Sequence, residues 1–517
     1  MLIRSARPVL ALLLALLLAG CVTSVDGSPA PAESGWTFVG EQPCADTDAR
    51  GADQFSCVRL SVPVDHAAPD GEHWDVTFGV HRASGERRGV FVTATGGPGS
   101  GGLAAADNYS SGFSDAVWRD FDVVFFDQRG IGLSQDLRCD QTYYETFYET
   151  VDSTSSATER DAYAAAATTF GTDCFAEAGV DPATAPRYAT SQAVEDLEDF
   201  REWLGAPGMP PYGESYGTQY VHTYAAAHPD RVDGLLVDGV VDLSTPVQDF
   251  AVSAAHAYSD VLAATLQACD TEPACADAAP GGSLAGYDEL VTTLAQTPGE
   301  ATSGYPVDDV TVRAAAAGSV SVPSYRTDLQ VALNDATNGD LVALDELGNV
   351  GGGPAPDFSD ALYYAVECQD YDFVPQGGDG RAVLDDWLAR ADTEGIDGLR
   401  LGSGYYGDLP CLFWPGAAAD SDHALPAPVI DPPYPVLVLN ADTDPNTPVA
   451  GAIDVFRDLA PGAGPDDALV LHRGGPHVIY GWGDTCVDDL VDAFVADGRQ
   501  PAQRFTICPG AVADPYP

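Results

Sequence analysis

Gly213-Glu214-Ser215-Tyr216-Gly217 is the stretch on which the reading of this 517-residue chain turns. The pattern Gly-x-Ser-x-Gly sets a serine on a sharp strand-to-helix turn, its hydroxyl raised above a sheet. Glycines flank it because the turn brings the backbone too close to itself for larger side chains. A serine between glycines also occurs in ordinary turns, so the neighbouring sequence must carry the reading. Upstream, Met209-Pro210-Pro211-Tyr212 occupies the place of a central strand. Two prolines remove two ladder hydrogen bonds, which predicts a strand that is short or begins after Pro211. Downstream, residues 218–227 read as a helix ending before Pro229, and residues 232–241 as a returning strand.

Working outward, residues 55–64 have the partial alternation of a strand, and residues 73–81 read as its hairpin partner across a turn at 65–71. The apolar, β-branched run 89–95 ends in Gly96-Gly97-Pro98-Gly99-Ser100-Gly101-Gly102. The run 121–126 ends in Asp127-Gln128-Arg129-Gly130-Ile131-Gly132. Residues 190–204 place acids and apolar side chains at helical spacing and lead toward the serine turn. This order predicts an α/β chain, a mostly parallel sheet flanked by helices on both faces. From residue 243 to about 420 the texture changes to alanine-rich helical stretches (248–267, 328–347, 358–366) joined by Gly/Pro-rich connections such as 351–356. That region is expected to be an inserted, mainly helical lid domain. Sheet texture resumes at 434–439 and 468–471, and a helix over 487–497 closes the pattern, so residues 41–242 and 421–517 are expected to form the core.

A serine nucleophile needs a base, and the base an orienting carboxylate, both in loops at the carboxyl ends of strands beside the serine turn. Leu439-Asn440-Ala441-Asp442-Thr443-Asp444-Pro445-Asn446-Thr447-Pro448 leaves one predicted strand with two candidate acids. Leu471-His472-Arg473-Gly474-Gly475-Pro476-His477 leaves the next with two candidate histidines. His477 lies deeper in a glycine loop that can swing over the sheet edge, whereas His472 sits at the strand end, where a structural role is expected. His222 and His228 are the other histidines near the post-serine helix. The glycine loop at 96–102 supplies half an oxyanion hole. Pro98 has no N–H, so Gly97 is the expected donor, with the N–H of Tyr216 as the second. No Gly-Lys-Ser/Thr follows that loop, which argues against a phosphate cradle.

Together Gly96-Gly97-Pro98-Gly99, Asp127-Gln128-Arg129-Gly130-Ile131-Gly132-Leu133-Ser134 and Gly213-Glu214-Ser215-Tyr216-Gly217-Thr218 resemble α/β-hydrolases of the prolyl aminopeptidase and tripeptidyl aminopeptidase group. Asp444-Pro445-Asn446-Thr447-Pro448 is similar to that group's catalytic-acid loop, which favours Asp444 over Asp442, and Gly475-Pro476-His477 to its histidine loop. Asp497-Gly498 with Cys486 and Cys508 resembles the C-terminal segment of secreted actinobacterial tripeptidyl aminopeptidases. The resemblance spans roughly residues 40 to 510 and is weakest in the lid; the proline-containing approach to the serine departs from it. It implies an α/β-hydrolase fold, a triad of Ser215, Asp444 and His477, no cofactor, and peptide substrates with a free N-terminus. Acids near the lid would then hold the substrate's α-ammonium, with Glu214, Glu367 and Asp370 the candidates; Glu367-Cys368-Gln369-Asp370 sits where a disulfide can anchor it. Arg129 and Asp127 are expected to brace a loop by ion pairing below the site. A carboxylic-ester hydrolase using the same triad is the alternative, and a non-catalytic binding protein on a hydrolase scaffold a third reading, opposed by intact candidates at all three triad positions.

The chain begins Met1-Leu2-Ile3-Arg4-Ser5-Ala6-Arg7 and runs almost wholly apolar from Pro8 to Gly20. This is a basic and then a short hydrophobic region of an export signal, too short for a comfortable span. Leu18-Ala19-Gly20-Cys21 resembles the bacterial lipobox. By that resemblance residues 1–20 are removed, Cys21 is lipidated, residues 21–40 are a tether, and the protein stands on the outer face of the cytoplasmic membrane or is released to the medium. Membrane contact is expected only through that anchor. Without Cys21, ten of the 11 cysteines remain, an even number that favours disulfides in an exported chain. Their pairing is open; neighbours in order would close short to moderate loops and is the expected pattern. No cysteine spacing suits a zinc cluster, so no metal is expected. The formal charge is −55, from 78 acids against 23 bases, every base an arginine. Such a charge repels nucleic acid and anionic surfaces and suits a solvated acidic surface in salt. A monomer is expected.

Overall fold

The computed structural model describes residues 35–46, 54–110, 112–139, 156–350, 357–375, 378–416, 429–461 and 467–517. The expected leader and Cys21 lie outside these residues. The strands in chain order are β1 (Thr37–Pro43), β2 (Ser56–Pro63), β3 (His73–His81), β4 (Gly89–Ala94), β5 (Phe121–Asp127), β6 (Pro211–Glu214), β7 (Leu235–Asp238), β8 (Gly299–Glu300), β9 (Pro306–Val307), β10 (Val436–Ala441), β11 (Asp467–His472) and β12 (Phe505–Cys508). Ten of them form one sheet in the order β1-β2-β3-β5-β4-β6-β7-β10-β11-β12; β8 and β9 pair separately within the insertion. The first three strands join antiparallel, β3 to β5 included. From β5 across to β12 every pairing is parallel. All carboxyl ends of that parallel stretch therefore share one edge of the sheet.

The middle strands are buried on both faces, which is why they read as continuous apolar runs. Side chains alternate between two cores. Val90, Val92, Val124 and Phe126 join one cluster, while Phe91, Val123 and Phe125 join the other. β6 has four residues and starts at Pro211, so it is short, as the two prolines require, but does not wait until after Pro211. Proline fits there because it opens the strand. The helix Thr190–Leu204 matches its predicted bounds and ends on Gly205 in a left-handed cap.

Between β7 and β10 the chain is mainly helical, as expected, but it is not a separate body: residues 35–517 form one unit. Its first part, with helices Val247–Thr271, Ser283–Gln296, Asp309–Ser319 and Pro323–Thr337, has its own apolar cluster around Leu262, Leu266 and Leu333. Its second part sends Tyr364, Trp387, Tyr405 and Trp414 into the same cluster as the sheet. Residues 37–40, expected to belong to a tether, lie instead in the strand Thr37–Pro43, paired with β2. Five disulfides pair neighbours in order: Cys44–Cys57, Cys139–Cys174, Cys269–Cys275, Cys368–Cys411 and Cys486–Cys508. No described helix is long and apolar enough to cross a membrane.

Candidate active site

Ser215 stands between β6 and the helix Tyr216–Ala227 with φ 54° and ψ −124°, a conformation that non-glycine residues seldom adopt outside functional turns. The turn leaves no room beside it: a Cβ on Gly213 would lie 2.2 Å from the Gly217 carbonyl oxygen, and one on Gly217 2.0 Å from that of Ala94. The serine is tied to the sheet by its N–H, which donates to the Asp238 carbonyl at 2.9 Å.

Beyond β7, the loops that follow β10 and β11 carry the candidate carboxylate and the candidate base. Asp444 Oδ2 lies 2.8 Å from His477 Nδ1 and 2.8 Å from Thr447 Oγ1, while Oδ1 accepts the N–H groups of Asn446 and Thr447. An Nδ1–H donor toward that carboxylate leaves Nε2 as the basic nitrogen. Burial opposes the charged imidazole, but the Asp444 carboxylate, its hydrogen bond, and the charges of Asp238 and Glu214 outweigh it and hold His477 above its ordinary value. The other candidates sit elsewhere. Asp442 accepts the Gly474 N–H at 2.7 Å and braces the histidine loop. His472 pairs with Asp484 at 3.0 Å. His222 is buried, accepts the Val429 N–H, and is pushed down by burial to about 4; His228 pairs with Glu195.

Ser215 and His477 open on one cavity of about 520 Å³, which Gly97, Tyr216, Glu214 and Glu367 also line. Gly97 has φ 115°, and a Cβ there would press to 2.8 Å on the Gly99 nitrogen, so the glycine is required by the turn. Tyr216 is the first residue of its helix, where backbone N–H groups have no acceptor within the helix. Gly97 and Tyr216 thus both line the cavity beside the serine, Tyr216 at a helix N-terminus, which favours negative charge.

Of the three candidate acids, Glu214 and Glu367 line the cavity and Asp370 does not. Asp370 is occupied structurally: it accepts the Thr190 N–H and hydroxyl and the Gln219 amide. Burial lifts it to about 7 against those bonds. The sequence reading missed Asp408, which lines the cavity with Glu367 and accepts the Tyr363 hydroxyl at 2.8 Å. Burial and mutual proximity raise Glu367 well above the usual carboxylate range; burial also raises Asp408. The missed signal was the disulfide Cys368–Cys411: Glu367 immediately precedes one cysteine and Asp408 lies three residues before the other. Arg129 does brace loops, but its carboxylate is Asp196 at 2.5 Å, not Asp127, with further bonds to the carbonyls of Pro63, Val64 and Arg187. Asp127 instead caps the N–H groups of Leu103 and Leu133.

Residues 402–508 match the family model described as TAP-like protein, which takes in β10, the acid loop, β11, the histidine loop and β12. The chain has the α/β-hydrolase fold, and its C-terminal segment is similar to the TAP-like family. By class this α/β-hydrolase is a serine hydrolase. It is 27% identical over 516 residues to a protein named serine protease Hip1 from Mycobacterium tuberculosis, covering 94% of each chain. It is 25% identical over 507 residues to a tripeptidyl aminopeptidase of Streptomyces lividans, covering 89% of this chain and 85% of the relative. A protein of Mycobacterium tuberculosis named carboxylesterase B is 25% identical over 477 residues, covering 88% and 86%.

Proposed function

We propose that this α/β-hydrolase is a serine exopeptidase that releases tripeptides or other short units from free peptide N-termini. The observation that carries this reading is the pair Glu367 and Asp408 in the same cavity as Ser215 and His477. Two carboxylates in a partly desolvated site suit an α-ammonium, and a clamp at a fixed distance from the nucleophile counts residues from the N-terminus. Ser215 Oγ gives its proton to His477 Nε2 and attacks the carbonyl carbon. Asp444 holds the imidazole tautomer and stabilises the imidazolium. The oxyanion lies between the N–H groups of Gly97 and Tyr216. His477 then protonates the departing amine, and water, deprotonated by the same imidazole, releases the acyl group from Ser215.

Export and lipidation at Cys21 would hold the enzyme, as a monomer, on the outer face of the membrane, with residues 243–420 roofing the site. The five disulfides accord with an oxidising compartment. The relative named carboxylesterase B favours ester hydrolysis by the same triad as the second reading. One comparison separates them: turnover of a single chromogenic tripeptide with its N-terminus free and acetylated, the Ser215→Ala protein serving as control. The peptidase reading expects the acetylated substrate to be slower by 10-fold or more and the Ser215→Ala protein to be folded and inactive. Equal rates on both substrates, with faster cleavage of a short-chain ester, sink it.

A further inference from the structure

Asp238 ends β7 and is wholly buried. Its backbone carbonyl accepts the Ser215 N–H at 2.9 Å. Its carboxylate accepts the N–H groups of Ile479 and Tyr480, each at 2.9 Å, and the Tyr212 hydroxyl at 3.3 Å. Ile479 and Tyr480 lie two and three residues beyond His477. Between them and the histidine, Val478 has φ 64°, a left-handed conformation that a β-branched side chain adopts only under outside constraint. β7 lies between β6 and β10, and its last residue bonds the nucleophile's turn through its carbonyl and the histidine's turn through its carboxylate.

We propose that Asp238 is the positioning residue of this site, holding the Ser215 backbone through its carbonyl and the strained turn that carries His477 through its carboxylate. Its buried charge acts on the imidazolium as a second carboxylate beside Asp444. The charged groups around His477 are Asp444 from the β10 loop, Asp238 from β7 and Glu214 from β6. Those around Asp238 are His477 and Asp444. Arg326, from the insertion, lies nearer Asp444 and Asp442. Burial raises Asp238 to about 6, so it is ionised at neutral pH and favours the charged imidazole. The inference rests on the Ser215–His477 reading. If Ser215→Ala keeps its turnover, that reading fails; if Ser215→Ala is dead and Asp238→Asn is unaffected, only this inference fails.

The test is Asp238→Asn, which keeps the shape, removes the charge and turns a donor toward backbone N–H groups. We expect kcat to fall 10- to 100-fold with KM within about twofold. The acid limb of kcat/KM should move to lower pH, because the imidazolium loses one of its supporting charges. Adding Val478→Gly, which makes the left-handed turn free of strain, should restore at least threefold of the lost kcat. If Asp238→Asn does not fold, Tyr212→Phe weakens the same anion and should move the acid limb in the same direction by less. A lower melting temperature with an unmoved acid limb and no rescue by Val478→Gly overturns the proposal, because that is what a merely structural residue would give.

Discussion

The cavity acids oppose folding in the form that binding would use. Glu367 is raised well above its ordinary value by burial and then by Asp408 and Asp370, and burial also raises Asp408, so each holds its proton more tightly in the folded chain than in the unfolded one. A group raised in this way contributes stability below its unfolded pKa and loses it as pH rises through the folded pKa. Ionised carboxylates, however, are what an ammonium needs. Two effects of pH follow, with opposite signs: a rise in pH lowers the stability of the empty enzyme and, until the α-ammonium itself deprotonates at about 8, strengthens the hold on a free N-terminus. Glu367→Gln should therefore raise KM for a free tripeptide by about 10- to 100-fold, the worth of a charge-assisted hydrogen bond. It should leave kcat on an uncharged ester within about threefold and raise the melting temperature at pH 8. The same KM for free and acetylated peptide in the parent enzyme, with no gain in stability in the variant, would remove Glu367 from substrate binding. Asp408→Asn should behave alike.

At the scale of elements, the parallel strands were readable because burial on both faces demands continuous β-branched and apolar runs, and 121–126 and 434–439 carry them. The Gly-x-Ser-x-Gly turn was readable for the same reason that its glycines are unavoidable: each is pressed against a carbonyl oxygen. The edge strands were not readable. β1 is exposed along most of its length and β12 along half, so neither has an inward face to mark it. The helix Ala157–Glu177 was hidden in the crossover because apolar and polar residues surround it with almost no preferred side. Asp238 was hidden because its strand reads as ordinary core until the partners of its carboxylate, 241 residues downstream, are known. The least readable feature is Arg326. Its fully buried guanidinium donates to carbonyls of Val320, Thr443, Gly474, Gly475 and Val512, thereby stapling the insertion to the acid loop, the histidine loop and the C-terminal segment. Burial lowers it to about 10, yet no carboxylate pairs with it among the described residues. The insertion also takes the His477 N–H on the Ser321 carbonyl at 2.7 Å. This part of the insertion is structurally one with the loops of Asp444 and His477 rather than a cover that swings away. Arg326→Met leaves several buried carbonyls unpaired and should destabilise the protein by about 3 kcal/mol or more, read as a fall in the urea midpoint. Arg326→Lys keeps the charge but not the planar fan of donors and should recover less than half of that loss.

For the whole molecule, electrostatics divides into a few sheltered pairs and a large unpaired excess. Arg129 and Asp196 are both buried and satisfied, so salt hardly reaches them. Most other arginine pairs are at least partly exposed and of small individual worth. With 78 acids and 23 bases, most carboxylates have no arginine to meet. On the helix Thr190–Leu204 the crowding is local as well: burial, then Asp196, Glu202, Glu195 and Glu198, push Asp199 up to about 9. Salt weakens attraction and repulsion alike, so the sign of its effect depends on which is more numerous, and here repulsion is. The screening length shrinks from roughly 10 Å at 0.1 M to about 3 Å at 1 M, short enough to separate neighbouring surface carboxylates. The melting temperature at pH 8 should therefore rise by several degrees between 0.02 and 1 M NaCl, and rise less at pH 5, where part of the excess is protonated. Sodium chloride and potassium chloride should act equally if the effect is screening. A melting temperature that falls with added salt at pH 8 would mean that the arginine pairs outweigh the repulsion, and would end the reading of this surface as one held open by its own charge.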